Sequence, residues 1–358
     1  NDFSPISRGG SRLNPLAFFI AVAISGGAMA ADSQPLELDA TQIEDSALVP
    51  ADETGQLGYT VESSRSSTGL KLTPRQTPQS VTTITRQQMD DQNTTKLSEV
   101  VKRTPGLTAT KSPGPGMFIF SRGFEIGTLQ YDGVGIPRNT YALGSYLTEN
   151  MAIYDRVEVL KGATGLLTGA GSLGATINLV RKKPTADFQG HASLGVGSWD
   201  NYRSELDVSG PLTDSGNVRG RAVAAYQDKH SFMDHYQRKT NVYYGILEFD
   251  LSPDTLLTVG GDYQDNKPQG SSWSGSIPLF DAAGNRNDLP RHFNNGAKWS
   301  HWNQYTRTVF ASLEHHLANG WVGKAQLDHK INGYDAPLGS IQGYYPRADG
   351  TASIEDVG

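Results

Sequence analysis

Three features of the sequence have residue types that could do chemistry: a glycine-rich turn, an adjacent histidine pair, and charged residues set among apolar ones. Gly169-Ala170-Gly171-Ser172-Leu173-Gly174 has the G-x-G-x-x-G spacing of a dinucleotide site, with Asp187 at a tolerable distance for a ribose-binding acid. Such a site needs its third glycine to open a helix whose N-terminus holds the pyrophosphate. Here Ala175-Thr176-Ile177-Asn178-Leu179-Val180 follows, rich in β-branched residues, and then Arg181-Lys182-Lys183-Pro184. That is a strand and a stop, so the nucleotide reading fails. His315 and His316 are neighbours, and a strand sends neighbours to opposite faces. They cannot grip one metal as a pair at i, i+2 or i, i+4 would. Asp90, Asp91 and Asp132 lack a partner histidine or second acid at a useful spacing, and no serine or cysteine nucleophile motif occurs. The expectation is a protein with no catalytic residue, no metal ligand and no enzymatic activity. Arg122, Arg156, Glu158, Lys161 and Arg181 remain. If buried they need ionic partners, and Arg203, Glu205, Arg219 and Arg221 further along the chain are candidates.

Composition narrows the setting. Of 358 residues 19% are charged and the net charge is −6, with 31 basic residues against 37 acidic. No basic face for nucleic acid is implied. There are 40 glycines, 15 tyrosines and no cysteine, so neither a disulfide framework nor a thiolate metal site can form. A mean hydropathy of −0.44 excludes a bundle of membrane helices. It does not exclude a membrane β-barrel, whose strands alternate polar and apolar residues.

The elements that must position these residues fall into four stretches. Arg8 and Arg12 precede an apolar run, 16–24, which is shorter than the ~20 residues that span a bilayer. Ala28-Met29-Ala30 then has the A-x-A form of a signal-peptidase site, so residues 1–30 read as a signal peptide. Residues 31–72 are polar and acidic and read as a tether, with one alternating stretch at 36–43. Residues 73–186 read as a mixed α/β unit: strands at 80–85, 117–120, 129–131, 155–160 and 175–180, and helices at 86–91 and 95–103, the second ended by Pro105-Gly106.

From 187 the period changes to two. Alternating segments occur at 190–199, 202–209, 217–227, 241–251, 255–264, 305–317 and 320–331. Connections at 210–216, 252–254 and 318–320 are short, while 228–240 and 265–304 are long. A soluble β-sandwich would alternate as well. The signal peptide and the one-sided loop lengths favour an outer-membrane barrel. Seven strands leave an open edge, so the chain reads as the front part of a longer one.

The ordered blocks carry a family resemblance. They run Pro78-Gln79-Ser80-Val81, Asp91-Gln92, Leu97-Ser98-Glu99-Val100-Val101 and Thr104-Pro105-Gly106. Then come Ser121-Arg122-Gly123-Phe124, Tyr131-Asp132-Gly133, Arg156-Val157-Glu158-Val159-Leu160-Lys161-Gly162 and the run from Gly169 to Asn178. In this order they resemble the plug of TonB-dependent outer-membrane ferric siderophore receptors, with ferric pyoverdine and ferric coprogen receptors nearest. Gly197-Ser198-Trp199-Asp200 and Tyr226-Gln227 extend the likeness into the barrel.

The resemblance implies a mixed α/β plug followed by an antiparallel transmembrane β-barrel of about 22 strands, seven of them present here. It implies a monomer in the bacterial outer membrane, among outer-membrane lipid. It would bind a ferric siderophore of hydroxamate or mixed type as cargo, with no intrinsic cofactor. TonB, with ExbB and ExbD, would engage a TonB box at Leu36-Glu37-Leu38-Asp39-Ala40-Thr41. The short run before it leaves no room for a signalling domain. Ligand contacts carried over are Met117, Phe118, Arg138, Tyr141 and Tyr146 at the plug apices, and Trp273 in the long loop. Arg138 would pair with an anionic chelate and the tyrosines would offer flat amphipathic surface. Two other readings stand beside it. One is a receptor of the same family for haem, cobalamin or a glycan; the other is a non-transporting, plug-like binding fragment.

Overall fold

The computed structural model describes residues 58–61, 63–64, 72–111, 116–137, 149–162, 174–273, 280, 285–286, 288–342 and 353–357. The expected signal peptide, most of the tether with the TonB-box segment, the Gly169–171 turn, Arg138, Tyr141 and Tyr146 lie outside the described residues.

The first part is built around a sheet of five strands: β1 (Ser80–Ile84), β5 (Thr128–Tyr131), β6 (Val134–Pro137), β7 (Tyr154–Lys161) and β8 (Ala175–Arg181), in the order β1-β7-β8-β5-β6. β8 is central and buried on both faces, which is why it reads as a nearly continuous apolar run. It pairs antiparallel with β7 and parallel with β5. Its β strand character also settles the glycine-rich segment before it: no helix follows. Two short helices cover the sheet, α1 (Arg86–Asp91) and α2 (Leu97–Arg103). Thr85 caps α1 by accepting from the Gln88 amide at 3.2 Å. The Glu99 carboxylate accepts from the Thr95 and Lys96 amides at 2.8 and 3.3 Å, fixing the start of α2. Leu97, Val100 and Val101 recur at helical spacing and are buried, and Gly106, at φ 81°, turns the chain out. A second sheet of β2 (Leu107–Lys111), β3 (Met117–Ser121) and β4 (Phe124–Glu125) was not anticipated beyond β3.

The second part is a seven-stranded antiparallel meander in sequence order: β9 (Gln189–Gly197), β10 (Asn201–Pro211), β11 (Val218–His230), β12 (Gln237–Ser252), β13 (Thr255–Gln269), β14 (Asn303–His316) and β15 (Val322–Asp335). These are the seven expected strands, most of them longer at their ends. The connection expected at 228–240 shrinks to 231–236 because β11 and β12 keep pairing to His230↔Gln237. One end of the meander carries connections 212–217, 253–254 and 317–321; the other carries 198–200, 231–236 and 270–302. A hairpin of β16 (Leu338–Gln342) and β17 (Ser353–Val357) forms a separate sheet that sequence periodicity did not reveal.

Along β12, Thr240, Val242, Tyr244, Ile246 and Glu248 are buried, Val242, Tyr244 and Ile246 in one cluster with the core of the first part, whereas Lys239, Tyr243, Gly245 and Leu247 are exposed on the other face. Outward-facing Leu194, Val196, Leu206, Val309, Leu313, Leu327 and Ile331 are all exposed. Apolar residues in such numbers on one sheet face are what a lipid-facing wall requires. Glycines let aromatic rings lie flat across strands on both faces of this wall: Tyr305 over Gly333, and Phe310 over Gly260. A Cβ on Gly260 would meet Phe310 Cζ at 2.5 Å and the Gly245 carbonyl at 2.8 Å. The substitution Gly260→Val should therefore displace Phe310 and destabilise the protein by about 1–3 kcal/mol. The shift in unfolding midpoint of the folded, heat-modifiable form measures it, and an unchanged midpoint would contradict this packing.

Candidate functional site

The described site is the seam between the α/β part and the wall, where charges buried from water find partners across the interface. Arg181 closes β8 and is 2% exposed. Its guanidinium donates to Asp132 at 2.7 Å and, across the seam, to Asp328 of β15 at 2.8 Å. It lies 4.1 Å from the Phe310 ring centroid and 5.5 Å from that of Tyr131. Asp132 is aimed by a tight turn between β5 and β6, with Asp132 at φ 51° and Gly133 at φ 91°. The same carboxylate accepts from the Arg181 amide at 2.9 Å, and Asn178 accepts from the Gly133 amide at 3.0 Å. The turn, the strand end and the cation are thus one unit.

Two residues beyond Asp328 on the same face of β15, Lys330 donates to Glu149 at 3.0 Å and to the Tyr131 hydroxyl at 2.5 Å. Tyr131 in turn donates to Glu149 at 2.5 Å. Burial raises the Glu149 carboxyl, but Lys330 and the Tyr131 hydrogen bond outweigh it and hold the group below the usual carboxylate range. Burial, joined by the Glu149 charge, pushes the Tyr131 hydroxyl well up, so it remains a neutral donor. At the other side of the seam Lys182 donates to Asp207 of β10 at 2.8 Å, and Arg221 of β11 grips the same carboxylate through two bonds of 2.8 Å. Burial pulls the Lys182 ammonium down, and Asp207 offsets part of that. Further hydrogen bonds complete the seam. The Asn150 amide donates to Gln264 at 2.9 Å, Tyr244 donates to the Lys182 carbonyl at 2.6 Å, and Arg221 to the Lys183 carbonyl at 2.9 Å.

Some expected pairings are corrected. Arg156 and Glu158 pair with each other at 2.8 Å, two apart on β7, instead of reaching the wall. Arg219 stays within the wall, bound to Asp250 at 2.6 Å. Arg122 is exposed at a positive φ in the turn after β3, and Lys161 is only half-buried. Arg203 and Glu205 pair at 2.7 Å on neighbouring inward positions of β10, and both also reach the plug as expected of them, Arg203 to Asn150 at 3.3 Å and Glu205 to Lys182 at 3.9 Å. The seam is also not wholly polar: Val223, Ala225, Val242, Tyr244, Ile246 and Phe310 of the wall belong to the same buried cluster as the α/β core.

Sequence reasoning missed Glu149, Tyr131, Asp207, Lys182, Asp328 and Lys330 as partners. The available signal was the inward face of the alternating segment 320–331, on which Gln326, Asp328 and Lys330 fall together. Of the carried-over ligand residues, Met117 and Phe118 are half-buried neighbours on β3. Trp273, after β13, stacks on the fully buried Trp302 with centroids 5.6 Å apart and planes at 7°. The two groups stand on different elements.

The first part is a mixed α/β unit held by buried ion pairs against an antiparallel wall, and residues 73–176 match the family model described as TonB-dependent Receptor Plug Domain. Among individual proteins, the chain is 65% identical over 329 residues to the ferripyoverdine receptor of Pseudomonas aeruginosa, covering 91% of this chain and 40% of that receptor. It is 44% identical to the ferric-pyoverdine BN7/BN8 receptor of Pseudomonas putida, over 85% of this chain and 37% of that one. The solved pyoverdine outer membrane receptor of Pseudomonas aeruginosa, bound to pyoverdine, superposes with a TM-score of 0.80 at 64% identity, covering 86% of this chain and 44% of that chain. The chain therefore spans about two fifths of the length of the curated relatives it matches.

Removing one partner of a buried pair leaves the other charge stranded, at a cost of about 3–5 kcal/mol. Asp328→Ala should loosen the plug by about that amount, read as faster proteolysis of the plug with the barrel intact. Glu149, with its carboxyl held low, contributes stability that is full above the ordinary carboxylate value of about 4.3 and fades as pH falls below it. Lys330→Met removes the main group that holds the carboxyl low, so the variant, less stable at neutral pH, should lose less stability on acidification than wild type, which a series of plug-unfolding midpoints between about pH 7 and about pH 3 would display.

Proposed function

We propose that the chain is the front part of an outer-membrane receptor that carries a ferric siderophore of the pyoverdine type into the periplasm. The observation that carries this reading is a plug clamped by ion pairs inside a wall whose other face suits lipid, in a chain 65% identical to a ferripyoverdine receptor. The ion pairs bear on how the plug is held. Shearing a seam of such pairs lets water solvate each charge as it is uncovered, whereas separating a dry apolar seam exposes surface with no compensation. Force applied to the plug by an energised partner would then meet a barrier that hydration lowers.

In this reading residues 1–30 are the signal peptide, 31–72 the tether, 73–186 the plug and 187–358 the first part of the barrel. TonB, powered through ExbB and ExbD, engages Leu36-Glu37-Leu38-Asp39-Ala40-Thr41, and the receptor works as a monomer. The ligand contacts are Met117, Phe118, Arg138, Tyr141 and Tyr146 of the plug segment and Trp273 of the connection after β13. The stack on Trp302 supports the last assignment by fixing the plane of the Trp273 ring. The iron itself is cargo, coordinated by the siderophore.

The test is uptake of radiolabelled iron by a receptor-deficient strain carrying the full-length reading frame, supplied with purified siderophores, with and without TonB. TonB-dependent uptake from a ferric pyoverdine is the expected result. Correct insertion with no uptake from any siderophore would overturn the reading and favour haem, cobalamin or a glycan. Trp273→Ala should weaken siderophore binding on the order of tenfold, a loss typical of an aromatic contact residue, while insertion is unchanged.

A further inference from the structure

The connection between β13 and β14 is tied at its base around Ser300, a fully buried residue. A serine hydroxyl has one proton to donate. Here it stands 2.6 Å from the Ser271 carbonyl oxygen, 2.8 Å from that of Ala297 and 3.3 Å from that of Gly339 in β16. The Ser300 carbonyl accepts in turn from the Gly270 amide at 2.7 Å and the Ser271 amide at 3.3 Å. Three stretches of chain therefore meet on one residue: the exit from β13, the return toward β14, and β16. Asn294 adds a second tie by donating to the Gly270 carbonyl at 2.9 Å and to the Asp234 carbonyl at 3.0 Å. Gly296 permits this closeness. A Cβ there would lie 2.6 Å from the carbonyl oxygens of both Gly270 and Ser271.

Trp273 lies two residues past Ser271, and Trp302 lies two residues past Ser300. The two rings thus leave the backbone at equal distances from the tie, and they stack with centroids 5.6 Å apart. Trp302 is the fixed member: its ring is fully buried and its amide donates to the Pro268 carbonyl at 3.2 Å. Trp273 is half-buried and has its backbone held two residues earlier, by the bonds between Ser271 and Ser300. A contact group serves a ligand when it is held within roughly 0.5 Å and 10–20° of its productive geometry. A ring free to swing must be ordered when the ligand arrives, and that ordering subtracts from affinity. We propose that Ser300 is a positioning residue for siderophore binding. It locks the exit of β13 to the return segment and so holds the Trp273 ring flat on Trp302 before the ligand arrives, without touching the ligand itself. The proposal rests on the reading that Trp273 contacts the chelate.

The test is a double-mutant cycle on the full-length receptor purified from the outer membrane. The probe is the radiolabelled ferric pyoverdine of Pseudomonas aeruginosa, and the readout is its dissociation constant. S300A should weaken binding about fivefold, the scale of one lost hydrogen bond. W273A should weaken it on the order of tenfold. The double variant S300A/W273A should bind no more weakly than W273A alone, because no ring is left to position. Independent effects would multiply to about fiftyfold in the double variant, and that result would overturn the proposal. So would S300A that binds as tightly as wild type. S300C, close in size but a weaker donor, should fall between wild type and S300A, and it takes the place of S300A in the cycle should that variant insert poorly. Failure of the contact reading has a different signature: W273A then binds like wild type, and the proposal falls with it. A wild-type receptor that holds none of the chelate would overturn the pyoverdine cargo and this proposal together.

Discussion

A charge taken out of water must be answered at once by a charge or dipole fixed nearby, and most of this structure follows from how Arg181 is answered. Its carboxylate partners come from two places. One is the turn at Asp132 within the plug and the other is Asp328 in the wall. The turn is held by Asn178 and by the Arg181 amide, so the plug presents the guanidinium already oriented. Phe310 and Tyr131 close the remaining sides with ring faces, which accept a cation without competing for its hydrogens. Lys330 with Glu149, and Lys182 with Asp207, repeat the arrangement at other points of the seam.

The apolar contacts in the seam change what this clamp implies. Val242, Tyr244, Ile246 and Phe310 join the plug core, so the wall is part of what keeps the plug dry. Ion pairs of this kind are about neutral in net stability compared with well-packed apolar residues. Their worth lies in position: each pair is satisfied only when plug and wall are in register. The apolar patch supplies adhesion and the pairs supply alignment, and the two are separable by mutation.

How much of this was legible beforehand depended on distance along the chain. The wall strands declared themselves through period-two alternation, because one face meets lipid and the other a polar interior. The central plug strands were readable as short runs rich in β-branched and apolar residues, and the helix at Leu97–Arg103 through the helical spacing of its apolar residues and the Pro105-Gly106 stop. The short strands Leu107–Lys111 and Val134–Pro137 were not, since in isolation they carry too few residues to show a period. The hairpin at Leu338–Gln342 and Ser353–Val357 escaped notice likewise. The partners across the seam were the least legible. The inward face of 320–331 could be read from the sequence, but the match of Lys330 to Glu149 could not. Arg122 shows the converse error: an arginine within a conspicuous motif turned out to sit in an exposed turn.

The spacing of these partners along the chain sets an order of events. Arg181 meets Asp328 at a separation of 147 positions, and Glu149 meets Lys330 at 181. Until β15 is in place, Arg181 has only Asp132 of its two carboxylate partners and Glu149 has Tyr131 but no cation. Contacts this remote form late, after the loop between them has been closed. In the interval the plug is an incomplete fold whose charged side is open to water, which solvates those groups. The clamp thus acts as a timer: final docking of the plug waits until a long stretch of wall has been delivered.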